Sequence, residues 1–228
     1  MKTIGLIGGL SWYSTVIYYQ HINRLINERL GGANYGSVLL HSVNFHEFNE
    51  LQKRGKWDEI EKWLSDIALR LEQAGADCIL ICSNTPHVVA DAISDKLKVP
   101  FIHIAQVTGD AIGKQNISQV GLLGTRFTME EGFFSKRLSG LGIQTIIPEE
   151  KDRSFIHSSI FEELSRGIYT EATRQRYLQT IDKLKQGGAA GIIFGCSEIS
   201  LLINPEECPL PVFDTTTIHA RAAVDFAL

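Results

Sequence analysis

Two small reactive residues, Ser83 and Cys196, each close a short apolar run and each is followed by residues that favour helix starts. Ser83-Asn84-Thr85-Pro86 joins three capping residue types to the imino acid favoured in a first helical turn, and Gly195-Cys196-Ser197-Glu198 looks equivalent. The unpaired N–H groups of a helix start attract a carboxylate and lower the pKa of a nearby thiol. The pattern predicts a hydroxyl and a thiol beside two anion-attracting turns. Such a pair suits a reaction on the two faces of one small acidic molecule.

The two segments are copies of one plan. LEQAGADCILICSNT (Leu71 to Thr85) overlays LKQGGAAGIIFGCSE (Leu184 to Glu198) without a gap, pairing Gly75 with Gly188, Ile79 with Ile192 and Ser83 with Cys196 at an offset of 113. TIGLIGG (Thr3 to Gly9) resembles QVGLLGT (Gln119 to Thr125) at an offset of 116, and VPFIHI (Val99 to Ile104) resembles LPVFDT (Leu210 to Thr215) at 111. Offsets that drift only by loop-sized amounts predict duplication of one α/β unit, not a solenoid of short repeats. Two apolar strands preceded by Gly-Ala can also look alike without common origin.

The elements needed to position these residues follow from periodicity. TIGLIGG reads as a buried strand entering a tight turn, and SVLLHSVNF as a second strand. Trp12, Val16, Tyr19, Ile22, Ile26 and Leu30 form a helical stripe ended by Gly31 and Gly32; Ile60, Trp63, Leu64, Ile67 and Leu71 form another, before a strand from Asp77 to Cys82. In the second half a strand from Gln119 to Gly124 precedes Thr128-x-x-Glu131, which reads as a capping box for a helix carrying Phe133, Phe134, Leu138 and Leu141, with Gly142 as its C-cap. QTIIPE, a helical stretch from Ser154 to Arg166 and a helix opened by Thr170 and Glu171 lead to a strand from Gly191 to Gly195. Strand–helix alternation predicts two similar, pseudo-symmetric α/β domains. Each is a parallel sheet flanked by helices, with ligands beyond the carboxyl ends of the strands, and an active site built by both halves would lie in the cleft between the two domains. The borders expected from the repeat are 1–104 plus 210–228 for the first domain, with Thr215 to Leu228 as a returning helix, and 105–209 for the second. Ser11 and Thr125 lie at matching strand ends and are candidate ligand contacts.

Composition narrows the function. A chain of 228 residues with net charge −4 and a sequence pI near 6.0 offers no basic field, and no Lys/Arg cluster is interleaved with aromatics, so nucleic acid is not an expected partner. The apolar runs are strand-sized and the first residues lack a signal-peptide core, which predicts a soluble cytoplasmic protein without membrane contact. Cys78, Cys82, Cys196 and Cys208 include no pair at metal-ligand spacing beyond Cys78-x-x-x-Cys82, and His41, His46, His103, His157 and His219 show no ligand motif, so no metal is expected. Cys78, Cys82 and Cys208 read as small core residues, and His87 as either structural or site-tuning. Gly5-x-x-Gly8-Gly9 is not a dinucleotide fingerprint.

With these residues in place the chain resembles the aspartate/glutamate racemase superfamily, whose members carry a CNT motif in one half and a GCT motif in the other. Here these read Ser83-Asn84-Thr85 and Gly195-Cys196-Ser197, and Glu198 follows as in aspartate racemases. The opening KTIGLIGGLSWYSTVIYYQHIN is similar to the aspartate and broad-specificity amino-acid racemase branch, and the resemblance runs over essentially the whole chain. It implies a homodimeric, cofactor-independent racemase of a small-molecule amino acid, aspartate or glutamate foremost, with Ser83 where the first catalytic cysteine is expected. Asn84, Thr85, Ser197 and Glu198 are then the cradle for the α-carboxylate and amino group. Gln52 falls where many aspartate racemases place an Arg for the distal carboxylate, which leaves neutral side chains as substrates also. The alternatives are a Cys196-dependent decarboxylase or cis–trans isomerase of small dicarboxylates, and a catalytically silent amino-acid-binding module.

Overall fold

Apolar runs, most of them flanked by glycine, become seven strands in the computed structural model, which describes Met1–Leu228. The chain divides into two compact units, Met1–His103 with His219–Leu228, and Ile104–Ile218. In the first, β1 (Ile4–Gly8), α1 (Trp12–Leu30), β2 (Val38–Ser42), α2 (Phe45–Lys53), α3 (Trp57–Gln73) and β3 (Cys78–Ile81) are followed by a 3-10 turn over Thr85–Val89 and by α4 (Ala90–Ser94). Its parallel sheet runs β2-β1-β3, and Phe101 adds a bridge to Ile79 on the outer side of β3. The second unit contains α5 (Ile104–Gly113), β4 (Gln119–Gly124), α6 (Arg126–Glu130), α7 (Phe133–Gly140), β5 (Gln144–Ile146), α8 (Glu150–Glu162), α9 (Glu171–Gln186), β6 (Gly191–Gly195), α10 (Ile199–Leu202) and β7 (Val212–Asp214). Its parallel sheet runs β5-β4-β6-β7, the same order with the outer bridge grown into a strand. α11 (Thr215–Ala227) carries the chain from the second unit back to the first.

The internal repeat is visible in packing detail. A Cβ on Gly5 would stand 2.7 Å from Ile79 Cδ1, and a Cβ on Gly121 would stand 2.8 Å from Ile192 Cδ1, so both central strands need glycine for the neighbouring isoleucine to lie flat. Gly75 and Gly188 take the left-handed turn into β3 and β6 with φ of +98° and +99°, a conformation that costs other L residues roughly 1–2 kcal/mol. Strands β1, β3 and β6 are buried along their whole length, as parallel strands covered on both faces must be. Ile60, Leu64, Ile67 and Leu71 bury the face that α3 lays on the first sheet, each contributing roughly 1.5–3 kcal/mol.

Three local expectations change. In α1 the apolar stripe is split: Ile22 and Ile26 are buried, but Trp12, Val16, Tyr19 and Leu30 are exposed, and Tyr18, Ser14 and Thr15 complete the inward face. Thr128 does not cap a helix; Thr125 caps α6 by accepting from the Thr128 N–H, and α7 starts after Gly132 in a left-handed conformation. The segment 210–218, expected with the first domain, stays with the second because β7 hydrogen-bonds to β6, and the return begins at His219. No helix is long and apolar enough to cross a membrane.

Candidate active site

In the second unit the thiol follows directly from β6. Gly195 ends the strand, and the Cys196 Sγ donates to Glu198 Oε2 at 2.9 Å while Ser197 Oγ donates to the same oxygen at 2.8 Å. Burial holds the Cys196 thiol well above its ordinary pKa, and the adjacent Glu198 charge and hydrogen bond push it further the same way. The thiol-lowering effect expected of a helix start is outweighed, because α10 spans four residues and brings little dipole to set against a neighbouring carboxylate. Ser197 and Glu198 are buried and sit with Cys196 in one hydrogen-bonded group. Beneath them Tyr177, fully buried, shares a 2.9 Å hydrogen bond with Ser159, and Ser200 Oγ donates to Asp214 Oδ2 at 2.8 Å.

Thr125 stands at the end of the neighbouring strand β4, half-buried, with its hydroxyl 3.2 Å from that of Thr128. The next amide, Arg126 N–H, donates to His157 Nδ1 at 3.2 Å. The Arg126 guanidinium is held by Glu150 and Ser154. The two residue types flagged at this strand end therefore follow β4 and β6, which are paired in register at Gly124 and Gly195.

The first unit presents the matching strand ends. Ser83 follows β3 by two residues and Ser11 follows β1 by three, and these strands pair at Ile7 and Ile81. Ser11 takes φ +119°, a strained value for a residue with a side chain, held because its carbonyl accepts from both Thr15 N–H and Thr15 Oγ1. Ser14 Oγ donates to the Cys82 carbonyl at 2.9 Å, which ties α1 to the end of β3. Asn84 and Thr85 are buried in the turn, which begins as a 3-10 segment, not the α-helix expected from the capping residues. Cys82, one residue before Ser83, lies in the core with its pKa pushed up by burial. Gln52 is a buried residue of α2, the helix that follows β2.

One group escaped the sequence reading. His87 Nδ1 lies 2.8 Å from the Ser83 carbonyl, and its ring meets those of Phe101, His103 and His219 at centroid distances of 5.7, 4.9 and 5.6 Å. His219 is fixed at both ends, by Tyr18 Oη at 2.7 Å and the Ile102 carbonyl at 2.6 Å. His87 alone carried a signal, being four residues from Ser83; His103 and His219 reach it through the fold. No group of three or more His, Cys, Asp or Glu is arranged to hold a metal ion.

Known proteins are similar to this chain in sequence and fold. The chain is 47% identical to a proposed Asp/Glu racemase from Yersinia pestis, with a TM-score of 0.95 over 100% of this chain and 99% of the other. An aspartate racemase homologue from Pyrococcus horikoshii OT3 is 32% identical, with a TM-score of 0.89 over 100% and 99%. The broad-specificity amino-acid racemase RacX of Bacillus subtilis (strain 168) is 23% identical over 226 residues, 97% of this chain and 96% of its own. The sequence pattern of the Asp/Glu/hydantoin racemases matches residues 7–223. The chain belongs to the Asp/Glu/hydantoin racemase family and is an isomerase of the racemase kind.

Proposed function

We propose that this protein interconverts the L and D forms of aspartate, glutamate or related amino acids without pyridoxal phosphate, using Cys196 and Ser83 as the two proton-handling residues. The observation that carries this reading is the Cys196–Glu198 hydrogen bond at the end of β6, in the segment whose repeat partner sets Ser83 opposite Cys196 in the overlay.

In the ligand-free protein Cys196 is a thiol, and an acid cannot remove an α-proton. Its high pKa has a removable cause, however, since one contribution is the Glu198 charge. An incoming α-ammonium group set against Glu198 offsets that charge and draws the carboxylate away from the thiol, which lowers the pKa of Cys196 once substrate is bound. The Cys196 proton leaves to Glu198 or solvent, and the thiolate then takes the α-proton from one enantiomer. The carbanion is reprotonated on its opposite face from the Ser83 hydroxyl, which is resupplied by water. A serine hydroxyl is a far weaker acid and base than a thiol, so the two directions differ in turnover while the equilibrium between enantiomers stays at unity. Ser197, Asn84, Thr85, Ser11 and Thr125 contribute donors for the α-carboxylate, and the uncharged Gln52 admits polar as well as acidic side chains.

The reading is tested in deuterated water with each enantiomer of aspartate, glutamate and several neutral amino acids. α-Proton exchange with inversion, lost in Cys196→Ala, is the expected result. Binding without exchange for every amino acid overturns it.

A further inference from the structure

The two halves of the repeat hold their reacting residues by different devices. Continuing the offset of 113, Glu198 corresponds to Thr85 and Ser200 to His87. In the second unit the side chain of Cys196 itself is held, by the Glu198 carboxylate, while Ser200 is turned away to Asp214. The first unit has no carboxylate at position 85, and its histidine reaches the backbone of Ser83.

A carbonyl oxygen only accepts, so the 2.8 Å contact between His87 Nδ1 and the Ser83 carbonyl places the ring proton on Nδ1. The other nitrogen, Nε2, is buried without a hydrogen-bond partner. The ring's single proton is therefore committed to the Ser83 turn. The His87 backbone N–H closes the same turn on the Asn84 carbonyl at 3.0 Å. Behind it the ring is wedged against Phe101, His103 and His219, and His219 is anchored through Tyr18 to α1 and through Ile102 to the outer bridge segment.

We infer that His87 is a positioning residue for the Ser83 face: by binding the Ser83 carbonyl it fixes the backbone that aims the Ser83 hydroxyl at the α-carbon. A hydroxyl working where a thiol would otherwise stand has little intrinsic reactivity to spare, so its placement governs the rate on that face. This inference rests on the proposed racemase reading and adds the residue on which one face of it depends.

The test follows the enantiomer whose α-proton Cys196 removes, in deuterated water, and compares inversion with exchange at retained configuration. Wild-type protein should show both. His87→Leu should lower the ratio of inversion to retained exchange at least tenfold, because the Cys196 step is untouched. His87→Asn, whose amide N–H reaches the position of Nδ1, should restore the ratio to within about threefold of wild type. A general loss of structure would lower both processes together and leave the ratio unchanged. If His87→Leu does not fold, His87→Gln replaces it, since its longer amide overreaches Nδ1 and should lower the ratio relative to His87→Asn. Folded variants that all keep the wild-type ratio overturn the inference, as does His87→Asn behaving like His87→Leu. Absence of any exchange in wild-type protein instead overturns the racemase reading and this inference with it.

Discussion

The thiol of Cys196 and the carboxylate of Glu198 share a 2.9 Å hydrogen bond in which the thiol is the donor. A carboxylate in this place stabilises S–H over thiolate both by its charge and by accepting that proton. Glu198→Gln should therefore lower the Cys196 pKa and raise its alkylation by iodoacetamide at pH 8 by about tenfold, a pKa change of about one unit. Turnover should fall in the same variant, because the ammonium partner is lost. Mass spectrometry of the Cys196 peptide reads the first effect and chiral chromatography the second. Slower alkylation would contradict the assigned hydrogen bond.

Ser83→Cys restores a thiol to the first half of the repeat. Activity should rise in at least one direction, about tenfold or more, since thiolate is accessible near neutral pH and alkoxide is not. Loss of activity in both directions by a folded variant would show that Ser83 and Cys196 do not form the reacting pair.

Burial holds His219 at a pKa of about 3, and burial followed by the neighbouring histidines holds His87 well below its ordinary value. Both rings are neutral when folded and take up protons readily when unfolded, so the unfolded state binds more protons as pH falls below 6.5. Stability is thus complete above that value and is lost progressively towards pH 3. For His219 alone the loss by pH 4.5 is about 3 kcal/mol. Urea midpoints between pH 7 and 4.5 check this, and His219→Gln should flatten the slope while lowering stability at pH 7 through loss of its two hydrogen bonds.

The paired glycines of the central strands are not equally replaceable. An alanine Cβ at position 5 meets the Ala76 Cβ at 2.9 Å and the Cys78 carbonyl at 3.0 Å, neither of which can rotate away. At position 121 the two nearest atoms are Ile192 Cδ1 and Leu184 Cδ1, ends of flexible side chains, and the stiffer Leu184 Cβ stands farther off at 3.3 Å. Gly5→Ala should cost about 3 kcal/mol and Gly121→Ala about 1 kcal/mol by chemical denaturation. Equal costs would mean that the two sheets relax alike.

Strands β1 to β4 and β6 were legible because glycine-flanked apolar runs suit a buried parallel strand, and because the repeat shows the plan twice, whereas the order of the strands came only with the fold. The positions of Ser83 and Cys196 at strand ends followed from the same overlay. The direction of the Cys196 pKa was not legible: the residues after it read as a helix start, but how short that helix is, and which way the Glu198 side chain turns, are settled by tertiary packing. The α1 stripe misled for a related reason. Tyr18 is polar enough to be passed over in a hydrophobic period, yet it is buried to reach His219, 201 residues away. Similarly, nothing local told that β7 would pair with β6 before the chain turned back.

The return of α11 gives the two units different histories. Ala220, Ala223, Val224 and Ala227 complete the core cluster that contains Ile4, Tyr18, Ile22 and Ile26, and the Ala227 carbonyl accepts from the Lys2 amide at 3.0 Å. The segment Met1–His103 therefore waits during synthesis for residues made after the whole of the second unit, whereas Ile104–Ile218 is contiguous and has all its own strands beforehand. The unit bearing Ser83 and the histidine cluster closes only when His219 and the helix behind it leave the ribosome. Until then Tyr18, Ile22 and Ile26 on the inward face of α1 lack the part of their cover that α11 supplies.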